Sequence, residues 1–160
     1  MAFTETEEYS YSGLDKEERD KMFKPFGSKK YKDALKEAEK IIEKNYVELN
    51  SQYVAYNSSQ ELKDEKKAAF HKSVLLGLLN AIQNSGDGMT AKTAFTAITI
   101  NEEYTFMNIM GYKHSSQSLQ HIDGHSFDVF EAVDSKNQKV KLYFNIDVIW
   151  KAESAIFGGK

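Results

Sequence analysis

The segment from Asp123 to Val148 constrains the fold of this chain more than any other. It reads HSFDVFEAV, then a polar five-residue connection, then KVKLYFNIDV. Val140, Leu142, Phe144, Ile146 and Val148 alternate with Lys141, Tyr143, Asn145 and Asp147. A period of two describes a β-strand with one buried face. The preceding half of the chain has helical periodicity instead. A chain that changes period midway is expected to fold as α+β, with helices and sheet segregated along the sequence.

The helical half can be read element by element. Asp15 is placed to cap a short helix over Lys16 to Phe23, which Pro25 is expected to stop. Ser28 is expected to cap the next helix. In it Tyr31, Ala34, Leu35, Ala38, Ile41 and Ile42 make one apolar stripe, and Asn45 closes it. A further helix is expected over Asn50 to Leu62, with Tyr53, Val54 and Tyr56 inward. Another follows from about Asp64 to Asn84. Phe70, Val74, Leu75, Leu76, Leu78, Leu79 and Ile82 go nearly all round it, which predicts burial on most sides. Gly77 within it predicts a close crossing by another element. Short connections make these helices antiparallel hairpins, tetratricopeptide-like at low resolution, although no repeat of about 34 residues is visible.

Asn84 to Gly88 reads as a helix stop and loop. A strand is expected over Thr93 to Ile100, then a short helix capped by Asn101 and ending at Gly111. Strands follow at about 113–121, 125–133 and 139–148. At the turn after Ile122, two registers compete. A two-residue Asp123-Gly124 turn pairs Ile122 with His125. A three-residue loop pairs His121 with His125 and gathers Leu119, Phe127 and Val129 on one face. The buried face sets register, so the second is expected.

The expectation is one α+β domain over 1–160. A helical layer at 14–85 packs on a small, mainly antiparallel sheet at 93–148 with one inserted helix. Residues 1–13 and 151–160 are expected to be arms. At 41% hydrophobic content, with 10 Phe and 9 Tyr, the chain can build a core.

Composition also excludes function classes. With no cysteine there is no disulfide and no thiolate nucleophile or ligand. The formal net charge of −3 gives no basic footprint for nucleic acid. No apolar run approaches the roughly 20 residues of a membrane span. The first residues have neither the basic start nor the apolar stretch of a secretion signal. Gly86-Asp87-Gly88 follows a helix and precedes no Gly-Lys-Ser/Thr, so the context is wrong for a phosphate loop.

Several segments taken in order carry a family resemblance: AEKIIEKNY, FHKSVLLGLLNAIQNSGDG, TAFTAITINEEY, HSFDVFEA and KVKLYFNIDV. Over roughly residues 30–148 the chain resembles a bacterial family described as a domain of unknown function, number four-nine-one-nine. The resemblance implies an α+β architecture and export from the cell, to periplasm or medium. It implies no activity, cofactor or ligand.

Two groups of residues are candidates for chemistry. His121, Asp123, His125 and Asp128 cluster at the hairpin, and two imidazoles with carboxylates could hold a transition metal for hydrolysis. The plainer reading is a wet hairpin tip. Tyr143, Asn145 and Asp147 share the polar face of the strongest strand and could grip a sugar or peptide. Trp150 either extends that surface or covers the end of the core. His71, alone on an apolar helix, reads as a hydrogen-bonded packing residue. The expected function is a non-catalytic binding or protein-interaction module, for a protein, peptide or glycan partner, with no cofactor. Metal-assisted hydrolysis is the alternative.

Overall fold

A computed structural model describes residues 14–151, so the arm expected at 1–13 and all but Lys151 of the arm expected at 151–160 lie outside the described residues; Lys151 is helical. The fold is α+β, with helices in the first half and a four-stranded mixed sheet in the second. The chain divides into two compact units, Met1–Leu79 and Asn80–Lys160. Among the described residues no helix is long and apolar enough to cross a membrane.

In the first unit, α1 (Lys16–Gly27) begins where expected, with the Glu18 N–H donating to Asp15 Oδ1 at 2.7 Å. It does not stop before Pro25. Proline removes a single intrahelical bond, and the end is closed by Ser28 and Lys30 N–H groups donating to the Lys24 and Pro25 carbonyls. Ser28 is therefore the C-cap of α1 and not the start of α2 (Tyr31–Lys44), which has no side-chain cap. The α2 stripe is buried as its spacing predicts. Ala34, Leu35, Ala38 and Ile41 pack with Leu14, Met22, Val54 and Ala55.

Helix α3 (Leu49–Glu61) is capped by Glu48, whose carboxylate accepts from the Ser51 N–H and hydroxyl, each at 2.6 Å. Its buried face carries Ser51, Gln52, Ser58 and Ser59 beside Val54 and Ala55. Hydrophobic periodicity could not locate a face made half of small polar residues. Gln52 does specific work there. Its amide donates to the Tyr46 carbonyl at 2.8 Å, which fixes Oε1 toward His71 Nδ1 at 2.9 Å. A carbonyl only accepts, so the proton of the His71 ring sits on Nδ1. Burial lowers the pKa of this imidazole, which keeps it neutral.

Helix α4 (Glu65–Ser85) corrects the expectation of burial all round. Ala68, His71, Leu75, Leu79 and Ile82 are buried at spacings of three and four, while Phe70 and Leu76 are exposed. The helix is one-sided. A Cβ added at Gly77 would meet nothing within 4 Å, so no close crossing explains that glycine.

In the second unit, the strand expected over Thr93 to Ile100 shrinks to β1 (Phe95–Thr96), after a 3-10 turn at Ala91–Thr93. Gly86 lets the chain reverse there, since a Cβ would lie 2.2 Å from the Thr93 carbonyl oxygen. Helix α5 (Ile100–Ile109) is capped by Thr99 and not Asn101; the Glu102 N–H donates to Thr99 Oγ1 at 3.2 Å. Strands β2 (Lys113–Ile122), β3 (His125–Val133) and β4 (Lys139–Asn145) complete the sheet. Its order is β1-β4-β3-β2; β1 runs parallel to β4 and the other pairs are antiparallel.

The expected hairpin register is wrong. Ile122 pairs with His125, across a two-residue turn in which Asp123 (φ 51°) and Gly124 (φ 83°) are both left-handed. That is the type I′ geometry that Asp-Gly favours. The face argument failed because β2 is exposed along most of its length and Leu119 is solvated, so no buried face of β2 sets its register. Strand β3 is instead buried on both faces from Ser126 to Phe130.

The sheet core lies on the α5 side. Phe106, Phe130, Phe144, Met107 and Leu142 are all but inaccessible, with edge-to-face ring contacts at 5.7 Å between Phe130 and Phe144. A smaller cluster of Ala94, Phe127 and Val129, joined by Tyr143, covers the other face. We expect Phe130→Ala to cost about 3–5 kcal/mol, read as a lower midpoint in urea unfolding; a loss under about 1 kcal/mol would contradict this packing.

Candidate functional site

The type I′ turn delivers His121 and His125 to one end of the sheet. The chain leaving β4 arrives at the same end. A helix begins there at Asp147, and the Trp150 N–H donates to the Ile146 carbonyl at 2.8 Å. The Asp147 N–H donates to Asn145 Oδ1 at 3.0 Å, which fixes the start of this turn. Asp147 then reaches back to β3. Its Oδ1 accepts from the Ser126 N–H at 2.8 Å and its Oδ2 meets His125 Nδ1 at 2.6 Å. The Ile146 N–H donates to the Ser126 carbonyl at 2.9 Å.

These bonds enclose a half-open cleft of about 320 Å³ lined by His121, Gly124, His125, Ser126, Asp147, Trp150 and Lys151. His121 Nδ1 lies 3.1 Å from the buried Ser126 hydroxyl. Its ring stands edge-on to Trp150, with centroids 5.2 Å apart. Trp150 keeps 38% of its surface exposed. Burial raises the pKa of Asp147, but the bonds from His125 and Ser126 outweigh it, and the net shift is downward. An ionised carboxylate only accepts, so His125 carries a proton on Nδ1; its Nε2 is left for other partners, as an acceptor in the neutral ring and a donor in the imidazolium. The Ser126 hydroxyl suits either tautomer of His121, so His121 Nε2 can donate or accept.

Residues singled out separately from sequence meet in this cleft, and others do not. His121 and His125, from the hairpin group, join Asp147, from the strand group. Asp123 stays in the turn. Asp128 lies along β3 toward Glu103 on α5, and Gln117 donates to its Oδ2 at 2.7 Å. Among the described residues no group of three or more His, Asp or Glu is arranged to hold a metal ion. Tyr143 packs against the Ala94, Phe127 and Val129 cluster, and Asn145 serves the backbone of Asp147. Ser126 and Lys151 carried no signal in the sequence, because the link from 126 to 147 spans 21 positions. Glu103 was passed over as an ordinary acidic first-turn residue, although it falls between Ile100 and Phe106 at spacings of three, a position on the apolar face of its helix.

A larger hollow of about 580 Å³ lies along α1 and α2 and is lined by Lys21, Lys24, Lys30, Lys36 and Lys40 with Asp33 and Glu37. Lys24 pairs with Asp20, and Lys40 with Glu37, at helical spacing. That is the ordinary solvated side of two amphipathic helices. The hairpin cleft instead combines an aromatic face with side chains that hydrogen bonds hold in place.

We expect Asp147→Asn to destabilise the second unit by about 1–2 kcal/mol at neutral pH. The Asp147 pKa is lowered on folding, so its contribution is fully present above the unfolded value of 3.8 and is lost as pH falls through the lower folded value. Thermal melts of wild type and variant should therefore draw together as the solution is acidified; a gap that does not shrink in acid would refute the assignment.

A family model described as Domain of unknown function (DUF4919) matches residues 2–155. No curated protein and no solved structure matches the chain.

Proposed function

The chain belongs to the family described as a domain of unknown function (DUF4919), and we propose that it is a non-catalytic binding module that holds a small polyhydroxylated ligand, a saccharide, in the hairpin cleft. The observation that carries this reading is the pairing of a partly exposed indole with an imidazole that Asp147 holds through Nδ1. Trp150 offers an apolar face on which the C–H side of a sugar ring can lie. In the neutral ring His125 Nε2 takes a hydrogen bond from a sugar hydroxyl, and His121 Nε2 can give one to a neighbouring oxygen. A hydroxyl group uses both roles at once, which distinguishes it from a carboxylate or an ammonium group.

Volume agrees with a small ligand. About 320 Å³ stands at the low end of the roughly 300–1,000 Å³ common for ligand pockets. The polar groups behind the cleft are already committed. Both Asp147 oxygens are engaged, and Ser126 is buried with its N–H given to Asp147 and its hydroxyl against His121. Ser126 is thus a poor nucleophile, and the set is suited to orienting the two imidazoles.

A saccharide panel screened by heteronuclear NMR tests the reading. Binding should move the Trp150 indole N–H and the His121 and His125 ring signals. Trp150→Ala and His125→Ala should each weaken affinity about tenfold, or ~1.4 kcal/mol. A panel that leaves these signals unmoved, or affinity indifferent to both substitutions, would reject it. Turnover of a panel sugar that His125→Ala abolishes would replace it with acid–base catalysis.

A further inference from the structure

Glu103 stands in the first turn of α5 with no exposed surface; among the described residues neither carboxyl oxygen receives a hydrogen bond while both acids are ionised, and the side chain within hydrogen-bonding reach is the carboxyl of Asp128. Orphaned oxygens at that depth call for an explanation. Glu102 and Tyr104 flank Glu103 on its own helix. From the sheet, Asp128 faces it from β3, and Gln117 on β2 clamps Asp128. Tyr104 donates in turn to Gln117 Oε1. Strand β4 places Phe144 opposite Asp128. Among the described residues the charged groups acting on Glu103 are Asp128 and Glu102, both acidic, and no cation offsets them. The helix N-terminus favours an anion, but only modestly, and far less than burial disfavours it.

Two carboxyl groups side by side in such a pocket cannot both ionise. A metal ion is a poor alternative. Oxygen-liganded cations want six or more donors, and two carboxyl groups with one amide do not reach that number. A proton needs only two. We propose that Glu103 and Asp128 hold one proton between them and form a latch between α5 and β3 that tightens in acid and loosens as pH rises.

The energetics follow from the same geometry. Burial first, and then the charge of Asp128, push Glu103 up to about 10. Burial raises Asp128 as well, against the bond from Gln117. An unfolded Glu ionises near 4.5. Between these values the folded chain holds a proton that the unfolded chain has lost. The folding constant therefore falls by up to about tenfold per pH unit across that window. Asp128 has the same sign above 3.8. His71 and Asp147 have the opposite sign in acid, since both are lowered on folding. The latch must therefore be read as a difference between wild type and a variant.

Glu103→Gln keeps the shape and removes the titration. Unfolding midpoints of wild type and E103Q should be compared from about pH 5 to pH 9, together with amide exchange along α5 corrected for intrinsic rates. We expect the advantage of E103Q to grow with pH, and α5 protection to fall with pH in wild type only. A carboxyl-carbon NMR titration of wild type, which needs no variant, should find Glu103 still protonated at neutral pH. A wild-type-to-variant gap that does not vary with pH, equal loss of α5 protection in both proteins, or a Glu103 carboxyl that titrates in the ordinary carboxylate range would each overturn the proposal.

Discussion

Burial of β3 on both faces is the constraint on which the second unit depends. Phe127 and Val129 point one way into a small cluster, while Phe130 and Ala132 point the other way into the aromatic core under α5. A strand covered on both sides has one workable register, and it imposes that register on its neighbours. Strand β4 answers with Leu142 opposite Phe130 and Phe144 opposite Asp128. Strand β2, exposed along most of its length, contributes pairing but little burial. The type I′ turn then follows from the chain: Asp-Gly closes β2 onto β3 in two residues, and His121 and His125 arrive at the sheet end as a consequence.

Much of this was legible in the residues, for identifiable reasons. The α2 stripe and the alternation from Val140 to Phe144 are strong periodic signals, and their buried sides follow the pattern. Caps with a short polar side chain before an acidic turn were half legible: Asp15 was found, but Thr99 was passed over for Asn101. Two expectations failed because apolar content was taken for burial. Phe70 and Leu76 on α4 are exposed, and Leu119 did not set the hairpin register. The site was legible only in fragments. Its hydrogen bonds join positions 121 to 126 and 125 to 147, and no local spacing encodes the second.

Two buried polar groups in this chain show how satisfaction separates structure from switching. His71 is buried, but Gln52 Oε1 accepts a hydrogen bond from its Nδ1–H, and Gln52 is itself held by the Tyr46 carbonyl. Each member has a partner, so the group specifies how α3 meets α4 and has nothing left to give. Glu103 is buried as deeply and has no such chain. A neutral imidazole can be placed among helices at modest cost, whereas an acid beside a second acid can be placed only with a proton attached. Burial that looks equal in extent thus makes one residue a fixed packing element and the other a proton-dependent one.

The cleft and the acid pair also share a strand. Ser126 and Asp128 are two residues apart on β3, so their side chains leave the same face. Across β2 their register partners are His121 and Leu119. Ser126 anchors the chain leaving β4 through its N–H to Asp147, and the His121 segment of β2 through its hydroxyl. Asp128 anchors β3 to β2 through Gln117. A shift of β3 at Asp128 would act two residues away from a residue that lines the cleft. In a strand packed on both faces such shifts are small and discrete, because interiors at close-packed density move between alternatives and do not stretch. The arrangement puts a titratable element within one pleat of the hairpin cleft.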